Sequence, residues 1–187
     1  MRGVGGKVIA LNTTFSGNQG TSATGGAAIS LGSGASAELA FVTFADNSGP
    51  AAIGVSGSGS GTVKLKNVVL ADPGVNECGG SLTIQAAGVI VTDDSSCGSG
   101  SGFIVDSNLR STLGSLADNG GSTWTHALLP GSAAIDAVTD CKDLNNNLVN
   151  IDQRGVARPQ GAQCDAGAFE REFVGFRLYL PLVVRGP

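Results

Sequence analysis

The chain repeats itself. VIALNTTFSGN (Val8 to Asn18), AELAFVTFADN (Ala37 to Asn47) and VKLKNVVLAD (Val63 to Asp72) align, with Phe15, Phe44 and Leu70 at matching positions and periods of 29 and 26 residues. A second motif follows the first two copies, GGAAI (Gly25 to Ile29) and GPAAI (Gly49 to Ile53), with CGGSLTI (Cys78 to Ile84) as a looser third copy. The aligned columns are coherent: Val8, Ala37 and Val63; Ala10, Leu39 and Leu65; Thr13, Val42 and Val68. A coil of this length with about three short strands predicts a parallel β-solenoid, in which each turn buries its apolar columns on the next at about 4.8 Å spacing. A β-sandwich is the competing fold, but it demands hairpin turns and gives no reason for fixed columns. Asn18 and Asn47 fall just past a strand, where Asn tolerates left-handed geometry and can bond to the next turn.

Composition agrees. Charged residues are 14% and aromatics 5%, while Gly numbers 30. Small residues with Val, Ile and Thr favour strands and tight turns over helices. The net charge of −4, without a basic patch, argues against a nucleic-acid partner. No apolar run reaches the roughly 18 residues of a spanning helix.

The four cysteines form two sequence-local groups, and none has CxxC metal spacing. Disulfides Cys78–Cys97 and Cys141–Cys164 are expected, with four buried thiols as the alternative. Disulfides imply an extracellular or cell-surface location. The N-terminus lacks the apolar core of a signal peptide, so a fragment of a longer precursor or another export route is expected. Asn12-Thr13-Thr14 is a glycosylation sequon.

The second half carries two long motifs, NGGSTWTHALLPGSAAID (Asn119 to Asp136) and DQRGVARPQGAQCDAGAFE (Asp152 to Glu170). Over Leu116 to Glu170 the sequence resembles the choice-of-anchor Q domain, which closes right-handed parallel β-helix proteins on bacterial surfaces. FRLYLPLVVR (Phe176 to Arg185) is similar to tails of exported proteins in Chloroflexus-type bacteria. Ser122 and Ala133 stand where that family often has proline. The resemblance implies an all-β chain: a short right-handed parallel β-helix over residues 1–100, an irregular disulfide-linked region over 101–172, and an apolar strand over 173–187. It implies a structural or adhesive role and no catalytic residues.

Asp152, Arg154, Arg158 and Asp165, with Glu170, read as structural ties, because a planar guanidinium can bind several carbonyls and carboxylates at once. Asp143, Asn145 and Asn147 place oxygens at alternate positions, as a calcium loop begins. The fixed glycine and the closing Glu are missing, so an Asn-rich hairpin turn is the better reading and no cofactor is expected. His126 reads as a turn-holding histidine. A polysaccharide lyase or hydrolase needs clustered carboxylates. Glu38, Asp46, Asp72, Glu77, Asp93 and Asp94 do not recur at aligned outward positions, so no such cluster is expected. An ice-binding Thr ladder fails as well, because Thr14 and Thr43 align but Val69 ends the column.

The tail alternates, with Phe173, Phe176, Leu178, Leu180 and Leu182 among its apolar residues and Tyr179 beside Arg177. An exposed strand this apolar would aggregate, so it is expected to fold back on its own solenoid or to dock on a neighbour. An uncovered first coil and an apolar last strand are complementary, which suggests head-to-tail self-association into a filament, or continuity with a larger β-helix precursor. The expected function is an extracellular structural protein, with a carbohydrate-binding or polysaccharide-cleaving β-helix as the alternative.

Overall fold

The computed structural model describes residues 2, 3, 5–21 and 23–172. The assembly candidates Phe173, Phe176, Leu178, Tyr179, Leu180 and Leu182 lie outside the described residues. The chain alternates between two parallel sheets. One holds β1 (Arg2–Gly3), β3 (Ile29–Leu31), β5 (Ala51–Val55) and β7 (Asn76–Gly79), in that order. The other holds β2 (Lys7–Ser16), β4 (Ser36–Ala45), β6 (Ser60–Ala71), β8 (Ser81–Thr92) and β9 (Phe103–Val105). Strands stack on their counterparts one turn away, which makes a parallel β-solenoid of about three turns.

The repeat sets the register. Val8 pairs with Ala37 and Ala37 with Val63; Phe15 pairs with Phe44 and Phe44 with Leu70. Phe15 and Phe44 stack with ring centroids 5.0 Å apart. The looser third copy of the second motif is corrected. Ile53 pairs with Cys78 in the smaller sheet, while Ile84 already belongs to β8, opposite Val63. The coil has shortened from 26 residues to 21 (Val63 to Ile84), and a repeat sought at 26 to 29 misses this rung.

Each long strand turns a corner at one left-handed residue: Asn12 (φ 47°), Phe41 (φ 51°), Asn67 (φ 57°) and Gly88 (φ 63°). These four stack in one column. The corner shifts the alternation, so Ala37 and Leu39 before it and Val42 and Phe44 after it all enter the interior core. The left-handed residues after the strands are Gly17 and Asp46, one position before the asparagines expected there. Asn18 and Asn47 contribute side-chain bonds instead.

A second core lies outside the solenoid. Ala40, Phe41, Ala45, Val69, Ala71 and Val91 face outward from the long sheet and cluster with Leu109, Leu128, Val138, Cys164, Ala166 and Phe169 of the terminal region. That region contains a short 3₁₀ turn (Leu109–Thr112), an antiparallel hairpin of β10 (Leu113–Ala117) and β11 (Thr125–Leu128), and irregular chain. Small outward residues let its backbone come close. Gly167 N donates to Asn67 O at 2.9 Å, and Ala168 N donates to Thr43 Oγ1 at 2.9 Å. Thr43 is thereby buried, and the Thr14/Thr43 column is no open plane. Disulfides Cys78–Cys97 and Cys141–Cys164 are both formed, and no cysteine is free. No helix among the described residues is long and apolar enough to cross a membrane.

Candidate functional site

The charged hub. The motif Asp152 to Glu170 folds around its own charges. Arg158 Nη1 donates to Glu170 Oε2 at 2.7 Å and to Asp165 O at 2.9 Å, and Nη2 donates to Gly167 O at 2.7 Å. Both side chains of the Arg158–Glu170 pair are 0% exposed. The Arg158 guanidinium lies over the Phe41 ring at 4.6 Å. Arg154 Nε donates to Asp152 Oδ2 at 2.9 Å, its Nη2 reaches Glu170 O at 2.6 Å, and it covers Phe169 at 3.6 Å. Asp165 accepts Asp136 N at 2.7 Å and Arg171 N at 2.6 Å. Burial nevertheless raises its pKa to about 6. The side chains of Asp152, Arg154, Arg158 and Glu170 are almost wholly buried against one another and the backbone, although Arg158 Nε has no partner there.

An acidic corner. The corner between the two sheets carries a ladder that runs along the solenoid. Asn18 N and Nδ2 donate to Asn47 Oδ1 at 3.0 and 2.7 Å. Asn47 N and Nδ2 donate to Asp72 Oδ1 at 2.6 and 3.0 Å. Asp72 N donates to Glu77 Oε1 at 2.6 Å, and Glu77 N donates to Asp94 Oδ2 at 3.2 Å. Asp93 approaches Glu77 within side-chain hydrogen-bond reach. Four of the acids thus come together largely inside a corner, not at the aligned outward positions weighed from the sequence. Asp72, Glu77, Asp93 and Asp94 meet because turns of different length return the chain to one corner. No sequence period predicts that. Burial pushes the Asp72 carboxyl up to about 6. Glu77 is pushed up to about 11, by burial first and by the Asp72 charge second. Asp46, at the same end of β4, is held down by Arg110, which grips both its oxygens at 2.6 and 2.7 Å. A cavity of about 390 Å³ opens beside the corner, lined by Asp93, Asp94, Arg110, Asn76 and Ser107 with the turn at Pro73 to Val75.

Other candidates. His126 Nδ1 sits 2.7 Å from Gly114 O and Nε2 sits 2.8 Å from Ser16 Oγ. The carbonyl can only accept, so Nδ1 carries the proton and Nε2 accepts from Ser16. That is the geometry of a nucleophile and its base. The next two amides along the chain from Ser16 are occupied: Gly17 N donates to Ala45 O and Asn18 N to Asn47 Oδ1. The pair instead ties β11 to β2, as Gln153 does through Thr14 and Thr123. Asp143 Oδ1 accepts Asn145 N and Asn147 N at 2.8 and 2.9 Å, and Asn147 Nδ2 donates to Oδ2 at 3.0 Å. Amide donors thus stand where a cation would need oxygens, and Asn146 adopts φ 63° in the turn. No group of three or more metal-type side chains able to hold an ion occurs among the described residues. In the sequon, Asn12 Nδ2 already donates to Ile151 O at 2.8 Å. Trp124, which the sequence reading passed over, is 60% exposed.

No known protein family, no curated protein and no solved structure matches this chain.

Proposed function

We propose that the chain is an extracellular structural module, a surface adhesin segment or filament subunit, that assembles through the ends of its solenoid. The observation that carries this reading is the pair of unpaired strand edges on the long sheet. Among the described residues, β2 pairs only with β4, and residues 81–88 of β8 have no strand on their far side. Outward on β2, Ile9 is 70% and Leu11 44% exposed. Such edges accept another strand, and a heterologous contact of this kind propagates into a filament. The strand added to β2 is a neighbour's, with residues 173–187 as its candidate source, or belongs to a preceding coil of a longer β-helix. The two disulfides and the resemblance to choice-of-anchor Q domains support an exported, surface-exposed protein.

The test is sedimentation and electron microscopy of the purified chain over a range of concentrations. Assembly should be concentration-dependent. Ile9→Lys with Leu11→Lys should abolish it while circular dichroism is unchanged, because edge lysines block strand addition. Monodisperse monomers at every concentration would refute self-association.

A carbohydrate-binding or polysaccharide-cleaving role is the second reading. It is supported by the acidic corner beside its cavity and by exposed Trp124, since exposed indoles stack on sugars. Titration of uronate and neutral oligosaccharides against the wild type, Asp93→Asn and Trp124→Ala tests it.

A further inference from the structure

The acidic corner contains an imbalance that the structural role does not account for. Glu77 Oε2 and Asp93 Oδ1 are both buried, and neither receives a hydrogen bond from any donor. Glu77 is 0% exposed, and its other oxygen is already taken by Asp72 N. The two side chains lie within hydrogen-bond reach of each other, and two ionised carboxylates that close in a buried site would repel. One shared proton satisfies both, since a protonated carboxyl donates and its ionised partner accepts.

The other groups around the pair do not relieve it. Asp72, at the end of β6, spends its charge on the Asn47 donors. Asp94, after β8, is filled by Ser96 N and Oγ and by Glu77 N. Arg110, the cation lining the neighbouring cavity, is committed to Asp46 on β4 and to Leu113 O. His126 lies in the field of that same Asp46–Arg110 pair.

We propose that Glu77 is a carboxylic acid in the folded protein, that it donates its proton to Asp93, and that loss of this proton unlocks the corner joining β6, β7 and the loop after β8. The corner is then a proton-binding lock. It is closed in acid and neutral solution and opens in alkali, when two adjacent buried anions must separate. The segment released is the Asp93 to Gly102 loop, which carries Cys97 and lines the cavity.

The sign follows from linkage. A carboxyl whose folded pKa is raised gives its full stability below its unfolded pKa, and that stability is lost as pH rises toward the folded pKa. Asp72 and Asp165, both near 6, contribute below about pH 6, and His126, lowered by burial, contributes below about pH 6.5. Asp93 is also raised, by burial first, so the interval from pH 7 to pH 9 reports the Glu77–Asp93 pair, and the Glu77→Gln variant assigns the proton within it.

The test is the stability of the wild type, Glu77→Gln and Asp93→Asn from pH 5 to pH 9, together with the infrared band of a protonated carboxyl at pH 7. In the wild type the folding constant should fall by up to about tenfold per pH unit between pH 7 and 9, one proton's worth. In Glu77→Gln that dependence should vanish, because the amide donates to Asp93 permanently and still accepts from Asp72 N. The infrared band should be present in the wild type and lost in Glu77→Gln. Asp93→Asn should lose it too, because its amide can donate to an ionised Glu77. Three results would each overturn the proposal: no protonated-carboxyl band, a band that survives in Glu77→Gln, or stabilisation of the wild type by added calcium that disappears in Glu77→Gln, which would make the shared ligand a metal ion.

Discussion

Replacing Arg158 by Met tests whether the charged hub is an internal tie. Met keeps an apolar stem against Phe41 but removes the cation. Glu170 Oε2 loses its partner at 2.7 Å, and the carbonyls of Asp165 and Gly167 lose theirs at 2.9 and 2.7 Å. Glu170 keeps two amide donors, Gln160 N and Asp165 N, but is left as an unpaired anion that is 0% exposed. Breaking a buried pair from one side typically costs about 3–5 kcal/mol. For a chain of this size each kcal/mol moves the melting temperature by about 2–4 °C, so a fall of roughly 6–20 °C is expected. Adding Glu170→Gln removes the stranded charge and should restore about 1–3 kcal/mol. The assay is equilibrium urea unfolding of the four corners of the double-mutant cycle, followed by circular dichroism. A loss below about 1 kcal/mol for Arg158→Met, or additivity of the two changes within about 0.5 kcal/mol, would refute the tie.

Two further outcomes are expected. At Gly167 (φ +87°) an added Cβ would stand 2.6 Å from Thr43 Oγ1 and 2.9 Å from Val69 Cγ2, so Gly167→Ala should cost about 2–4 kcal/mol through strain and overpacking. Gly155→Ala, at φ +88° with nothing within 4 Å, should cost only about 1–2 kcal/mol; equal losses would mean that the close approach to the solenoid does not matter. Reduction should lower thermal stability by about 3 kcal/mol for each disulfide, since the bridges span 19 and 23 residues and restrict the unfolded chain accordingly. Scanning calorimetry with and without reductant checks it, and an unchanged melting temperature would count against that contribution.

The stacked columns were legible because a parallel solenoid places chemically matching residues of successive turns on top of one another. Phe15, Phe44 and Leu70 announce their contact through spacing alone. The fourth rung was hidden, because the turn before Ser81 shortens and removes the period while leaving the pairing intact. Which core Phe41 joins was not legible either, because the left-handed corner turns it outward, where the terminal region and Arg158 cover it. The acidic corner was illegible for a related reason. Asp72, Glu77 and Asp93 come from turns whose lengths follow no repeat, so their meeting depends on where each turn closes.

By itself the sequence determined the solenoid, its register over three rungs and its two disulfides, because these follow from apolar columns and from cysteines close along the chain. Only the tertiary structure decided that the terminal region lies along the side of the long sheet, that the charges of Asp152 to Glu170 are spent within the fold, and that two carboxyls share one buried corner. Those outcomes rest on which backbone can approach which outward face. Small residues at Ala45, Ala71 and Gly167 permit that approach, but permission becomes contact only once the coils are stacked.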